Sequence, residues 1–247
     1  MENHGTAFPS WYITFQQAAI ANLPRPPQID KDTALGWANN GEELGRVLGS
    51  VLLPPVAAKQ FIAREKFVVN TSPEAHVKIS FIGANFQNWH LSAIEEAASP
   101  AELGFFTLET AMFDKDIIAK IGGVSKAIVS LADVYSKMEK QPHEPKSPAG
   151  DFLTSGHANI SYVPQAVKKL DGNRFSYINT AGHEVPEEVA DSQYLFEVGG
   201  RWFVLRAVGV RWGGGGWDLG ASSVERPGRW SGGSRVFSRK LLGTQAA

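Results

Sequence analysis

Hydrophobic and polar residues alternate most regularly between residues 206 and 239. Two runs there have an apolar residue at every second position, and four consecutive glycines separate them. This pattern predicts two half-buried strands joined by a turn. The apolar positions are Val208, Val210, Trp212, Trp217, Leu219 and Ala221. The intervening positions, which we expect to face outward, are Gly209, Arg211, Asp218, Gly220 and Ser222, with Gly213, Gly214, Gly215 and Gly216 at the turn. One face of this hairpin would therefore tolerate many substitutions.

Residues 1–63 are expected to form a helical segment that precedes the main domain. Apolar residues recur there at helical spacing, and the first helical pattern stops at prolines around Pro26. We expect Asp32 or Thr33 to cap a second helix, and Pro54 and Pro55 to end the last one. A helix-turn-helix is an alternative, but its second helix would hold two glutamates and one arginine, a poor set for binding DNA.

The middle of the chain predicts one strand and two helices. Alternation across Ala75–Gly83 is typical of a strand. Helical spacing predicts a helix over His90–Ala98 and a longer one over Asp114–Glu139, interrupted at Gly122–Gly123. The proline-bearing stretch Gln141–Gly150 is expected to be a surface loop.

The last hundred residues favour strands. We expect them at Asn159–Val163, Arg174–Asn179, Gln193–Val198 and Arg201–Val210, with a two-residue hairpin turn at Gly199–Gly200. A strand, two helices and then a run of strands indicate an α+β domain, with the two helices packed on one side of an antiparallel sheet.

Composition restricts the kinds of chemistry open to the protein. The chain has 247 residues, 43% of them apolar and 20% charged, as in an ordinary soluble globular protein. It has no run of eighteen apolar residues and no pattern of a signal peptide, so we expect a cytoplasmic protein without a membrane partner. Cysteine is absent, which excludes disulfides, thiolate metal sites and cysteine nucleophiles.

Charge is distributed unevenly along the chain. Residues 201–240 hold eight basic side chains, seven of them arginine, against only two carboxylates. The same stretch holds four of the seven tryptophans. Arginine and tryptophan together suit acidic partners or nucleic acid, so nucleic-acid binding by this region is an alternative function. The competing interpretation is that the tryptophans belong to the core and the arginines to a solvated rim.

Several segments carry a resemblance to a known family. They are Lys78–Phe86, Ile117–Gly123, Met138–Gln141, Leu153–Val163 and Val236–Arg239. In these segments the chain resembles the variable proteins of diversity-generating retroelements, particularly those of small-genome candidate-phylum bacteria. The resemblance spans roughly residues 64–247. In that family a reverse transcriptase copies a template repeat with errors at adenines, and the copy replaces the 3′ end of the target gene.

The resemblance implies a C-type-lectin-like fold for residues 64–247, with a variable region at about 207–239 whose residues bind a ligand. The implied ligand-binding positions are Gly209, Arg211, Gly213, Gly214, Gly215, Gly216, Asp218, Gly220, Ser222, Arg226, Gly228, Arg229, Ser231, Gly233, Ser234 and Arg235. Every residue in this set can arise from an asparagine codon randomised at its two adenines. Tryptophan and glutamate cannot, and Trp212, Trp217, Glu225 and Trp230 fall on the constant skeleton.

Other site chemistries have little support in the sequence. The six histidines stand singly, without a nucleophile motif or metal-ligand spacing nearby, although His157 lies just before a predicted strand. The glycine run joins two strands rather than opening a helix, so it does not predict a phosphate loop. Asp218 and Glu225 are too few carboxylates for a calcium site. We therefore expect a non-enzymatic protein without metal or cofactor that binds a protein ligand.

Overall fold

The computed structural model describes residues 10–21, 23, 25–44, 47, 60–97, 103–141 and 150–239. The chain divides into two compact units, Met1–Ala57 and Ala58–Ala247. The second unit therefore begins a few residues before the boundary predicted at residue 63. The reason is that a short strand, Gln60–Ile62, places Phe61 in the core of the second unit.

The first unit contains helices α1 (Ser10–Ala21) and α2 (Lys31–Asn39), followed by helical residues 41–44. The cap of α2 is Asp30, so the predicted caps Asp32 and Thr33 are wrong. The Asp30 carboxylate accepts hydrogen bonds from the Thr33 amide at 2.8 Å and from its hydroxyl at 2.7 Å. A capping side chain bonds the amide three residues on, so it must precede the first helical turn. Pro54 and Pro55 lie outside the described residues.

The second unit contains eleven described strands and five described helices. The strands are β1 (Gln60–Ile62), β2 (Ile79–Ile82), β3 (Ile94–Glu96), β4 (Leu103–Thr107), β5 (Asn159–Lys169), β6 (Arg174–Ile178), β7 (Glu184–Glu188), β8 (Leu195–Val198), β9 (Arg201–Gly213), β10 (Gly216–Ser223) and β11 (Arg235–Arg239). The helices are α3 (Ala63–Lys66), α4 (Ala84–His90), α5 (Asp114–Ile121), α6 (Val124–Ala127) and α7 (Leu131–Lys140). The break predicted at Gly122–Gly123 separates α5 from α6. Most of the predicted loop at Gln141–Gly150 lies outside the described residues.

One large sheet dominates this unit and confirms the α+β class. Its strands run in the order β2-β10-β9-β5-β11-β4, with β8 paired to β9 and a β6–β7 hairpin joined to the far end of β5. The predicted antiparallel sheet is wrong for two pairs, because β2 lies parallel to β10 and β11 parallel to β5. Each of these pairs joins segments far apart in sequence, where hairpin signals give no information.

The two faces of the sheet carry separate hydrophobic clusters. The Trp217 cluster joins Val208, Val210, Trp212, Trp217 and Leu219 to Leu131, Val134 and Met138 of α7. The Trp230 cluster joins Ile160, Tyr162, Leu205, Ala207, Trp230 and Val236 to Ile117 and Ile118 of α5. Alternate residues of β9 belong to different clusters, so α7 and α5 cover opposite faces. The helix predicted over Asp114–Glu139 is thus three helices, α5, α6 and α7, and the prediction that the helices pack on one side of the sheet is wrong.

The helix predicted over His90–Ala98 is also wrong. Helix α4 ends at His90, and β3 follows as a strand paired antiparallel with β1. The pairing of β1 with β3 places the Glu95 carboxylate at the start of α7. There it accepts hydrogen bonds from the amides of Leu131 at 3.1 Å and Ala132 at 2.8 Å. These distant partners, rather than the local spacing of apolar residues, decide the conformation of this segment.

His90, at the end of α4, is fully buried beside Phe86. Neither of its ring nitrogens has a hydrogen-bond partner in the part of the chain that the structure describes. Burial, with a smaller contribution from the nearby Arg206 cation, lowers the pKa of His90 to about 3. The imidazole is therefore neutral in the folded protein at neutral pH.

We expect this histidine to make the fold sensitive to acid. Unfolded His90 takes up a proton as the pH falls below about 6.5, whereas the folded form resists it until about pH 3. The free energy of unfolding should consequently fall by about 2 kcal/mol between pH 7 and pH 5 from this group alone. Urea denaturation of the wild type and of His90→Phe at both pH values would measure the difference. An equal pH dependence in the two proteins would contradict the assignment.

Candidate functional site

The β9–β10 hairpin pairs as the alternation predicts. Trp212 lies opposite Trp217, Val210 opposite Leu219 and Val208 opposite Ala221. All six belong to the Trp217 cluster or pack against it. The turn is Gly214–Gly215, whose φ angles of 59° and 99° lie in the left-handed region that favours glycine. The predicted skeleton of the hairpin is thus confirmed.

The opposite face of the hairpin forms the floor of a cavity of about 340 Å³. The predicted ligand-binding residues that line it are Gly209, Arg211, Asp218, Gly220, Ser222 and Arg226. Two aromatic side chains outside the predicted set complete the walls. Phe81 of β2 is 58% exposed, whereas Trp230 is only 6% exposed. We call this feature the hairpin cavity.

The Trp230 ring lies directly over Gly209. A β-carbon at position 209 would come within 2.8 Å of the ring. Glycine is therefore required here for the indole to rest on the sheet, unless the ring moves. The position of the Trp230 ring in the cavity wall therefore depends on the size of residue 209. This residue is itself one of the predicted variable positions.

Asp114, the first residue of α5, fixes the position of Trp230. Its carboxylate accepts hydrogen bonds from the Trp230 indole at 2.7 Å and the Tyr162 hydroxyl at 2.9 Å. Arg226 approaches the same carboxylate at 3.4 Å and stacks on the Trp230 ring at 4.0 Å. Burial raises the pKa of Asp114, and these three donors oppose the shift. A buried carboxylate outside the variable region thus holds two walls of the hairpin cavity.

Asp218 and Arg211 are charged side chains of the cavity that differ in their partners. Asp218 accepts a hydrogen bond of 2.6 Å from Ser80 of β2. Arg211 is exposed and has no ion pair among the described residues, so its guanidinium is available to a carboxylate or carbonyl group of a ligand. The described part of the chain contains no group of three or more histidine, aspartate or glutamate side chains that could hold a metal ion.

Three of the predicted positions do not face outward. Gly209 lies beneath Trp230, Gly216 is buried against the backbone of β2, and Ser234 is fully buried. The prediction of outward exposure is wrong for these residues. For Gly209 and Gly216 the reason is that a loop and a neighbouring strand cover the face that the hairpin pattern leaves open.

The remaining predicted positions lie outside the lining of the hairpin cavity. Arg235 donates to the Asp151 carbonyl at 2.6 Å and lies 4.3 Å from the centre of the Phe105 ring. Arg229 is exposed and lies 4.4 Å from the ring centre of Phe113. The others are Gly213, Gly214, Gly215, Gly228, Ser231 and Gly233, and the last lies against the His157 ring.

Three residues that shape the cavity were not predicted from the sequence. Phe81 and Asp114 lie far before the hairpin, which begins at Arg201, and Trp230 was assigned only to the skeleton. Nothing in the sequence distinguishes Asp114 from an ordinary acidic residue in the first turn of a helix. Its role becomes visible only through its distant partners.

We expect substitution tolerance to follow this geometry. Gly220→Tyr and Ser231→Tyr should shift the melting temperature by no more than a few degrees, because a β-carbon at Gly220 meets no atom within 4 Å and Ser231 is exposed. Gly209→Tyr and Ser234→Tyr should cost about 1–3 kcal/mol each by overpacking. Thermal denaturation of the four variants would measure this, and equal tolerance at all four positions would contradict the burial pattern.

Comparisons with family models, curated proteins and solved structures found no match for this chain. No helix in the described ranges is both long and apolar enough to cross a membrane.

Proposed function

We propose that this chain is the variable protein of a diversity-generating retroelement. In this proposal its second unit is a C-type-lectin-like domain that binds a protein ligand and catalyses no reaction. One observation carries the proposal. Five residues predicted to vary, Gly209, Arg211, Asp218, Gly220 and Ser222, line one cavity, while the tryptophans between them pack on the opposite face of the hairpin. A display surface needs this separation of varied and structural positions.

The contacts around the cavity support a scaffold that tolerates variation. Asp114, Tyr162 and Trp230 form a buried network supplied by elements other than the hairpin. Glu225, a constant position in the proposal, is exposed but accepts hydrogen bonds from the amides of Ala190 at 3.0 Å and Asp191 at 2.7 Å. These bonds hold the loop after β10 while neighbouring positions change.

The chemistry of the cavity favours a protein as the ligand. Arg211 has no ion pair within the described part of the chain, and Phe81 offers an exposed ring in the same cavity. Arginine and aromatic residues are enriched among the residues that contribute most to protein interfaces. The glycines leave much of the floor bare, so we expect this particular variant to bind weakly compared with variants that carry larger side chains.

The alternative of nucleic-acid binding loses support for residues 206–239 of the Arg- and Trp-rich stretch. Trp212, Trp217 and Trp230 are each less than 10% exposed, so their rings cannot stack with bases. Arg206 is buried, and Arg239 pairs with Asp133 at 3.0 Å. The stretch therefore presents fewer free cations and rings than its composition suggests.

Selection from two matched libraries would test the proposed surface. The first randomises Arg211, Gly220, Ser222, Gly228 and Ser231, which are exposed or half-buried positions of the variable region. The control randomises Glu109, Ala119, Lys120, Ser125 and Lys126, exposed positions elsewhere in the same unit. We expect binders to a panel of unrelated proteins from the first library, and we expect enriched side chains to lose binding when reverted. Equal recovery from the control library would refute the display surface.

The gene itself offers a second test. Sequencing the locus should reveal a reverse transcriptase gene and a near-copy of the 3′ end of this gene, with adenines at the codons for the varied positions. A locus with neither feature would refute the retroelement origin, although the selection result would stand on its own.

A further inference from the structure

A second and larger groove lies in a different part of the same unit. It has a volume of about 730 Å³ and shares no lining residue with the hairpin cavity. Its walls are α4 and the residue Ser92, the ends of β5 and β6, Glu184 of β7, and the turn between β8 and β9. Ligand sites commonly enclose about 300–1,000 Å³. We call this feature the α4–β5 groove.

The lining of the groove contains three aromatic rings and three cations. The rings are Trp89, Tyr177 and Trp202, and the cations are Lys168, Lys169 and Arg201, against Glu184 as the single carboxylate. Lys168 pairs with Glu184 at 3.3 Å, but both side chains are more than half exposed, so the pair is weak. The Lys169 ammonium lies 5.1 Å from the centre of the Trp202 ring. Positive charge therefore dominates beside the aromatic surfaces.

A buried cation holds the floor of the groove in place. Arg206 is only 1% exposed, and its guanidinium stacks 3.8 Å from the Trp89 ring centre. It also donates to the Gln165 amide oxygen at 2.7 Å and to Glu187 at 2.6 Å. Burying a cation is costly unless its partners are well placed, and two of these partners, Trp89 and Gln165, line the groove. Their orientation is therefore fixed before any ligand arrives.

The turn between β6 and β7 is hydrogen-bonded to α4, one of the elements that line the groove. The Asn88 amide oxygen in α4 accepts a hydrogen bond of 2.8 Å from the Thr180 hydroxyl. The hairpin arm is thereby tied to the helix that carries Trp89. This bond therefore connects two of the elements, α4 and the β6–β7 hairpin, that supply lining residues.

We propose that the α4–β5 groove binds a nucleotide, either free or as the end of a single strand. A ligand that matches this lining must carry planar rings and negative charges at short spacing, and nucleotides have both features. Bases stack on tryptophan and tyrosine, and lysine and arginine contact phosphates. An acidic peptide would satisfy the cations but would leave the aromatic rings without planar partners. This proposal is independent of the display function of the hairpin cavity.

Fluorescence anisotropy with a dye-labelled oligothymidylate of about six nucleotides would test the proposal at about 50 mM salt. We expect the full-length protein to bind, and Trp202→Leu to weaken binding at least about five-fold through the loss of stacking. Trp202→Phe should restore much of the affinity, which a purely structural role of Trp202 would not explain. Circular dichroism of both variants verifies the fold.

Two double variants compare the removal of positive charge inside the groove with its removal outside the groove. The double substitution Lys168→Ala and Arg201→Ala should reduce the slope of log affinity against log salt by about 1.4 if both contact phosphates. Lys120→Ala with Lys126→Ala removes the same charge outside the groove and should change affinity less than about two-fold.

Unlabelled competitors distinguish the sources of the ligand. Competition by thymidine monophosphate at modest excess would identify a free nucleotide, and competition only by the oligomer would identify the end of a strand. The proposal is overturned if an abasic oligomer or a polyglutamate peptide competes as well as the oligothymidylate. It is also overturned if the wild type does not bind, or if binding persists unchanged in Trp202→Leu.

Discussion

Trp217→Ala is expected to lower the free energy of unfolding by about 3–5 kcal/mol. The side chain is fully buried between Phe152 and Trp212, with ring centres 5.7 and 4.9 Å away and near-perpendicular contacts. Alanine would leave a large cavity where β9, β10 and the Phe152 segment meet. The surrounding strands are hydrogen-bonded on both sides and cannot collapse to fill it.

Urea denaturation at neutral pH measures this loss. Arg211→Ala is the matched control, because Arg211 lies on the same hairpin, is exposed and faces the other side of the sheet. We expect the control to change the free energy of unfolding by less than about 0.5 kcal/mol. Comparable losses in the two variants would mean that the two faces of the hairpin have been assigned wrongly.

Asp114→Ala is expected to cost about 2–5 kcal/mol, because it leaves two buried donors unpaired. The Trp230 indole and the Tyr162 hydroxyl both donate to this carboxylate, and Arg226 loses its only ion pair among the described residues. Since Trp230 and Arg226 line the hairpin cavity, the variant should also lose affinity for any ligand selected on that surface.

Asp116→Ala is the control for this second change. Asp116 lies in the first turn of the same helix but is exposed. It tests whether a loss of stability or affinity arises from the buried network or only from removing a negative charge near the start of a helix. A negative charge at an exposed helix start contributes at most about 1 kcal/mol. Denaturation and ligand titration of both variants would decide. Equal effects at positions 114 and 116 would contradict the positioning role of Asp114.

Trp217 and Asp114 differ in how far the sequence predicts their roles. Trp217 stands out because alternation alone assigns it to the buried face of a strand. Asp114 does not, because its partners Tyr162, Arg226 and Trp230 lie about 50 to 116 positions away. A local pattern can report which face a side chain occupies, but it cannot report which distant group meets that face.

The elements missed by sequence analysis follow the same division. Strand β4 was not predicted, and its pairing partner β11 lies more than a hundred residues further along the chain. Strand β7, Glu184–Glu188, carries Pro186 and three glutamates, a composition that disfavours strand prediction. It exists at the edge of the sheet because β6 offers it a pairing partner.

The sequence by itself determined the α+β class, the helix break at Gly122–Gly123, and the pairing and buried face of the β9–β10 hairpin. Each depends on local spacing, on glycine conformation or on the burial of alternate side chains, and these act over a few residues. Tertiary structure alone decided the parallel pairs, the placement of α5 and α7 on opposite faces, and the conversion of residues 94–96 from helix to strand. It also decided that Trp230 covers Gly209 and that Asp114 holds Trp230. These outcomes depend on contacts between segments far apart in the chain, whose energies no local pattern contains.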